Sequence, residues 1–382
     1  MKRFLSAITA LIILTLSLTS LFGCAKSTSL LKIDPTEDEK RVVGRIGDFD
    51  VYYDELRYIT LTYKEQMENK YGEGIWKDAQ SAAPYVDELS KKVYESITAN
   101  YGALMLAKEN GISVDDGPVQ DYCHVQMEDM ASKITLMLMS SHEEENKKND
   151  AADTGDSEDG ADEDKKSDYG EDYTPTNAEV NKAYREQLKA WYLTDRYVRF
   201  VFAVDGCIEQ LVIKYEKDGI LFSADEDIER YIKSNFCRTL HIFVRNDDGE
   251  NVDDNRVIAE TVLSELEGGK SFNSMVGSKY NDDLMTTSVN GHYFGKGEMQ
   301  PEYEAAAYEL GIDEHSGIVE TADGFYIIKR LKLEDHYINS YFEELKTQYR
   351  YAVVNSDISE TRKGLSLVLN DFGASLELWS IK

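Results

Sequence analysis

Proline is scarce in this chain, 5 in 382 residues, as are tryptophan, with 3, and cysteine, with 4. So few prolines beside 42% hydrophobic residues exclude a disordered polymer and leave a globular protein long enough for two or three modest cores. Basic residues are outnumbered 42 to 72 by acidic ones, a formal net charge of -30. Such a surface repels nucleic acid and anionic lipid over a Debye length, so nucleic-acid partners are set aside. The cysteines form no CxxC and have no paired histidine spacing, which argues against a metal site. Apart from Cys24, the remaining Cys123, Cys207 and Cys237 read either as buried small hydrophobes or as one disulfide with a spare thiol. No serine or cysteine nucleophile elbow is present, so hydrolase chemistry is set aside as well. Outside the first 24 residues no stretch is apolar and long enough to span a bilayer.

That first stretch has an address-like pattern. Lys2 and Arg3 precede an apolar or small-residue run to Phe22, and then comes Cys24 in LFGC. The pattern resembles the lipobox of bacterial lipoproteins, which implies a signal peptide over 1–23, a diacylglycerol thioether on Cys24 and a polar tether over 24–41. Lipidation of that kind holds a protein on the extracytoplasmic face of the cell membrane.

Order is expected from Val42, where VVGRIGDFDVYYDEL alternates apolar and polar side chains around a Gly47-Asp48 turn and then becomes helical. Helical spacing of Val86, Leu89, Val93, Ile97, Leu104 and Leu106 predicts a helix stopping at Gly111, with another from about Gly117. Residues 143–172 lose all apolar content and read as a disordered acidic insert; they lack the DxDxDG spacing of a calcium loop. After Pro175 one long helical pattern resumes with Asn177 as its cap, and SADEDIERYIKSNF follows with Ser223 as cap.

From Arg238 the pattern changes. RTLHIFV reads as a strand, DNRVIAETVLSELEGG and SFNSMVGSKY as helices, and GFYIIKRLK as a last strand. An alanine-rich helix and one short strand, near 291–294 or 317–319, lie between them. The whole is an α+β unit of about 100 residues with its first and last strands paired at the centre.

RTLHIFV, GGKSFNSMVGSKYNDD, YFGKGEMQPEYEAAAYEL and IVETADGFYIIKRL, in that order, resemble a parvulin-type peptidyl-prolyl isomerase over about 236–333. VGRIGDFDVYYDEL, AKENGISVDD and SADEDIERYIKSNF resemble the N-terminal helical module of PrsA-type foldase lipoproteins and SurA-type chaperones. The resemblance implies an α+β protein: a helical chaperone module over 42–235 and 336–382, with a parvulin-like PpiC domain over 236–335 inserted in it. It implies His241, Asp283, Tyr326 and Thr321 as the catalytic polar set. Met299 and Tyr303 would face the substrate proline, with Tyr293 or Phe294 as a third wall. Tyr326 stands where relatives carry a second histidine, and SVNGHY replaces their usual glycine-rich loop, bringing in His292 as a surface-loop side chain.

The resemblance further implies a foldase that needs no cofactor or metal and acts on unfolded secreted proteins with Xaa-Pro bonds. The alternative is a lipid-anchored holdase whose parvulin-like domain is inactive. A homodimer through the helical module is compatible with the sequence and leaves no trace in it. A solute-binding lipoprotein would need repeated βα units, which the helical stretch from Pro84 to Tyr231 contradicts.

Overall fold

In the computed structural model, the structure describes residues 31, 36–37, 39–153, 173–246, 252–276, 280, 284–285, 288, 290–321 and 323–382. The stretch read as a signal peptide, Cys24, most of the stretch read as a tether, and Asp283 lie outside the described residues. Leu31, in the stretch read as a tether, is fully buried in one core cluster with Met127, Ala131 and Val180, so at that point the chain is seated in a core.

The predicted hairpin forms as β1 (Val42–Ile46) and β2 (Phe49–Tyr52), and leads directly into α1 (Tyr53–Tyr71). A short α2 (Ala79–Ala82) precedes α3 (Val86–Glu109), which buries Leu89, Val93, Ile97, Leu104 and Leu106 as their spacing requires. α4 (Gly117–Asp153) runs eleven residues into the stretch read as disordered. EEENKKNDAAD is rich in Glu, Lys and Ala, which favour helix without needing to bury anything. Residues 154–172 lie outside the described residues.

The single helix expected after Pro175 is two, α5 (Asn177–Ala190) and α6 (Asp195–Lys217). Tyr192 at φ 57° breaks the run, and Thr194 caps α6 by accepting from the Tyr197 N–H. Thr176, not Asn177, caps α5, in a reciprocal box with Glu179. α7 (Asp225–Asn235) starts after Ala224, with no side-chain cap from Ser223.

Then comes the α+β unit: β3 (Cys237–Arg245), α8 (Val252–Glu267), α9 (Phe272–Val276), β4 (His292–Phe294), α10 (Pro301–Glu309), β5 (Val319–Thr321) and β6 (Gly324–Leu331). Both candidate short strands form, and the antiparallel order β4-β3-β6-β5 places the first and last long strands at the centre. The chain returns to the helical part through α11 (Asp335–Ser340) and α12 (Phe342–Arg362), and then forms β7 (Val368–Leu369) and α13 (Asp371–Ala374). β7 pairs with β1, closing a three-stranded sheet between the two ends of the helical part.

The main core joins β1, α1, α3, α6 and α12 through Leu56, Ile97, Tyr101, Leu211 and Tyr349. Cys123, Cys207 and Cys237 are all free and buried. Among the described residues no helix is long and apolar enough to cross a membrane.

Candidate functional site

Alternation along β3 decides which side chains meet. Thr239, His241 and Phe243 share one face of the sheet, while Leu240, Ile242 and Val244 share the other. β6 sets Ile328 opposite His241 and Tyr326 opposite Phe243. β4 sets Phe294 opposite Cys237 and His292 opposite Thr239. β5 adds Thr321 opposite Gly324, at the tight end of the β5–β6 hairpin. Gly324 sits at φ +145°, and a Cβ there would come within 2.2 Å of the Val244 carbonyl oxygen, so only glycine lets β6 approach β3 at that end. α8 and α9 cover the Leu240 face and α10 covers the His241 face, so His241 and Tyr326 are enclosed between sheet and helix.

Five of the expected residues converge there. His241 and Tyr303 are 0% and 1% exposed. The Tyr303 hydroxyl lies 3.0 Å from His241 Nδ1 and 2.8 Å from Thr239 Oγ1. The rings of His241, Tyr303 and Tyr326 meet edge to face, with centroids 5.0 to 5.5 Å apart. Tyr326 also stacks on Phe243 at 4.3 Å. Phe294 meets Tyr303 edge-on at 6.0 Å, and the half-buried Met299 packs against the same cluster. His241 is held from behind by its own backbone N–H, 3.3 Å from the Met285 sulfur.

Tyr293 does not join this set. It is one residue from Phe294 on β4, so it points to the opposite face, where it stacks on Tyr337 of α11 at 3.9 Å. Its hydroxyl accepts the Glu334 N–H, tying the sheet edge to the helical part. His292, read as a surface-loop residue, is instead half-buried in β4 and stacks against Phe294. Thr321 is buried and works within its turn: its hydroxyl donates to the Gly324 carbonyl at 3.2 Å and accepts the Asp323 N–H at 3.3 Å.

Sequence reasoning missed Thr239, Gln300 and Asp323. Thr239 is two residues before His241 on one strand, and that spacing alone signals a shared face. Gln300 follows Met299 and donates to Asp323 Oδ2 at 2.6 Å, linking the loop before α10 to the β5–β6 turn. Burial raises the Asp323 carboxyl above the usual carboxylate range, against the opposing effect of that bond. The same loop carries two more carboxyls: burial pushes Glu298 up to about 7 and raises Glu304, which accepts the Gly297 N–H at 2.7 Å. Arg245, exposed at the end of β3, lies over the Phe243 ring at 5.5 Å and puts a cation at the rim. Among the described residues no group of three or more His, Cys, Asp or Glu side chains converges on a metal-sized site.

Among the described residues this arrangement has no activated nucleophile. It has aromatic and thioether side chains around a small, buried, hydrogen-bonded polar group, which suits a conformational change in a bound apolar ring better than bond cleavage.

Residues 241–332 match the family model described as Rotamase, PPIC-type PPIASE domain. The chain is 42% identical over 81 residues to a foldase protein PrsA of Halalkalibacterium halodurans, covering 21% of this chain and 24% of that protein. It is 24% identical over 338 residues to a PrsA of Caldanaerobacter subterraneus, covering 86% and 82% respectively. It is also 32% identical over 109 residues to the peptidyl-prolyl cis-trans isomerase ESS1 of Saccharomyces cerevisiae, covering 25% and 64%. The matched part of the chain thus spans about a quarter of the length of the first of these relatives.

Proposed function

We propose that this chain, whose residues 241–332 are a PPIC-type peptidyl-prolyl cis-trans isomerase domain, is a foldase that speeds Xaa-Pro isomerisation in unfolded secreted proteins on the outer side of the cell membrane. The observation that carries the reading is the buried His241–Tyr303–Thr239 group, with Tyr303 in one apolar cluster with Met299, Phe294 and Phe243.

Rotation about Xaa-Pro must break amide resonance, a barrier of ~18–20 kcal/mol, and unassisted it takes tens to hundreds of seconds. A catalyst needs an apolar slot for the pyrrolidine ring and a few fixed polar groups that favour the twisted amide over either planar form. Met299, Phe294 and Tyr303 supply the slot, and the thioether adapts to either isomer. His241, with Asp283 brought in by its place in the family pattern, supplies the polar floor. Tyr326 contributes its ring edge, and Thr321 fixes the hairpin that carries it.

The domain is inserted between α7 and α11, with proposed bounds of 236–335. It is fastened to the helical part by the Tyr293–Tyr337 stack and by the Lys70–Glu320 ion pair at 3.0 Å. A client held by the helices would therefore lie beside the isomerase unit. The lipobox-like LFGC supports lipidation of Cys24 and membrane attachment. Tyr326, stacked where relatives carry an imidazole, favours the holdase as the second reading.

Refolding of a secreted protein whose slow phase is proline-limited separates the two. The account expects the full chain at substoichiometric amounts to accelerate that phase, and His241→Ala to cut the acceleration at least about tenfold. Suppressed aggregation with an unchanged slow phase would replace the foldase by the holdase.

A further inference from the structure

We propose that Tyr303 is a positioning residue: its hydroxyl, braced by Thr239, fixes the tautomer and plane of His241. The proposal rests on the isomerase reading of the site. It extends that reading by giving a polar task to a residue otherwise assigned only as an aromatic wall.

Three atoms on two elements form a hydrogen-bonded chain: Thr239 Oγ1, 2.8 Å to the Tyr303 hydroxyl, and then 3.0 Å to His241 Nδ1. Thr239 and His241 are neighbours on one face of β3, so a single phenol oxygen from α10 reaches both. A hydroxyl has one proton, so it donates at most one of these two bonds, and donor and acceptor strength decide which. Phenol is a stronger donor than an aliphatic hydroxyl, and an imidazole nitrogen is a stronger acceptor than threonine oxygen. The favoured direction is therefore Thr239 to Tyr303 to His241 Nδ1, which keeps the imidazole proton on Nε2.

The ring packing holds the plane as firmly as the bond holds the tautomer. Tyr303 and Tyr326, themselves in edge-to-face contact, meet the His241 ring at 85° and 84°, and Thr239, His241 and Tyr303 are all buried. Rotation of the imidazole would clash with both phenol rings. Tyr326 itself lies flat on Phe243, so it bears on His241 as a ring, while Tyr303 bears on it through a hydrogen bond at a stated nitrogen. In a buried site of low dielectric such a bond is strong, and its removal would lift the preference it imposes at Nδ1.

The test uses the full chain with 15N-labelled histidine, its Tyr303→Phe variant, which deletes one oxygen and keeps the wall, and Thr239→Val, which removes the brace. Long-range 1H–15N spectra read the His241 tautomer directly, and two-dimensional exchange on an Xaa-Pro peptide gives kcat and KM. Expected is an Nε2–H imidazole in the parent. In Tyr303→Phe the tautomers should be mixed, with kcat lower by about five- to tenfold and KM nearly unchanged, the size of one hydrogen bond. Thr239→Val should move the spectrum the same way by less, and serves alone if Tyr303→Phe does not fold. An unchanged Nε2–H tautomer and kcat in Tyr303→Phe, or an Nδ1–H form in the parent, overturns the proposal. A tautomer shift in a parent chain without turnover would retain the positioning role and remove the isomerase reading.

Discussion

Gly297 holds the loop before α10 at φ +83°, and a Cβ there would lie 2.8 Å from the Asn355 Cβ on α12. Both facts demand glycine: a side chain in that conformation costs ~1–2 kcal/mol before any clash is counted. Gly297→Ala is expected to lower stability by about that much or more, and to raise KM more than it lowers kcat, since Met299 is two residues on. Equilibrium denaturation and peptide kinetics check the pair of effects; an unchanged KM would separate the loop from substrate binding. At this scale the sequence was legible where chemistry and spacing coincide, as for His241, Met299 and Tyr303. It was ambiguous between Tyr293 and Phe294, because adjacent strand residues face opposite ways and only the register with β3 decides. Thr239 was signalled only by its two-residue spacing from His241, since a strand threonine is ordinary until a helix lays a hydroxyl over it.

Elements with strong local patterns came out of the sequence directly. The β1–β2 hairpin, the stop of α3 before Gly111 and the central β3–β6 pair rest on alternation, glycine and apolar spacing, all of which act over a few residues. Features that depend on distant partners did not. β7 is two residues long and exists because it pairs with β1 more than 300 residues away in the chain. The break between α5 and α6 falls in a stretch whose apolar spacing reads through it. Tyr192 at positive φ and the Thr194 cap interrupt it, and the cap's hydroxyl donates in turn to the buried Asp54 of α1 at 2.6 Å. α4 was underestimated at its end for the opposite reason, because charged, alanine-containing sequence satisfies helix propensity without any apolar face.

The whole molecule carries buried acids that set its pH response. Burial pushes Glu55 up to about 8, and Asp205 and Glu298 up to about 7. Each binds its proton more tightly in the fold than in the unfolded chain, so between about pH 4.5 and 8 the folded state holds more protons. Stability is therefore fully present below that window and lost as pH rises through it. Asp48, Asp78, Glu179, Asp335 and Glu360 are held below the usual range and act in the opposite sense, but only at lower pH and at the surface. The net charge of -30 adds repulsion in the same direction as the buried acids when pH rises. Thermal unfolding should give a Tm several degrees higher near pH 5.5 than near pH 8, with the difference reduced in Glu55→Gln. A Tm that climbs with pH across that range would contradict the account.

One measurement bears most directly on the function: cis-to-trans exchange of a short Xaa-Pro peptide, followed by NMR, with the full chain and its His241→Ala and Asp283→Ala variants. Acceleration over buffer by the parent chain, lost in His241→Ala and reduced in Asp283→Ala, is the predicted result. Exchange no faster than in buffer would contradict the isomerase and leave a protein that keeps the parvulin shape for holding clients.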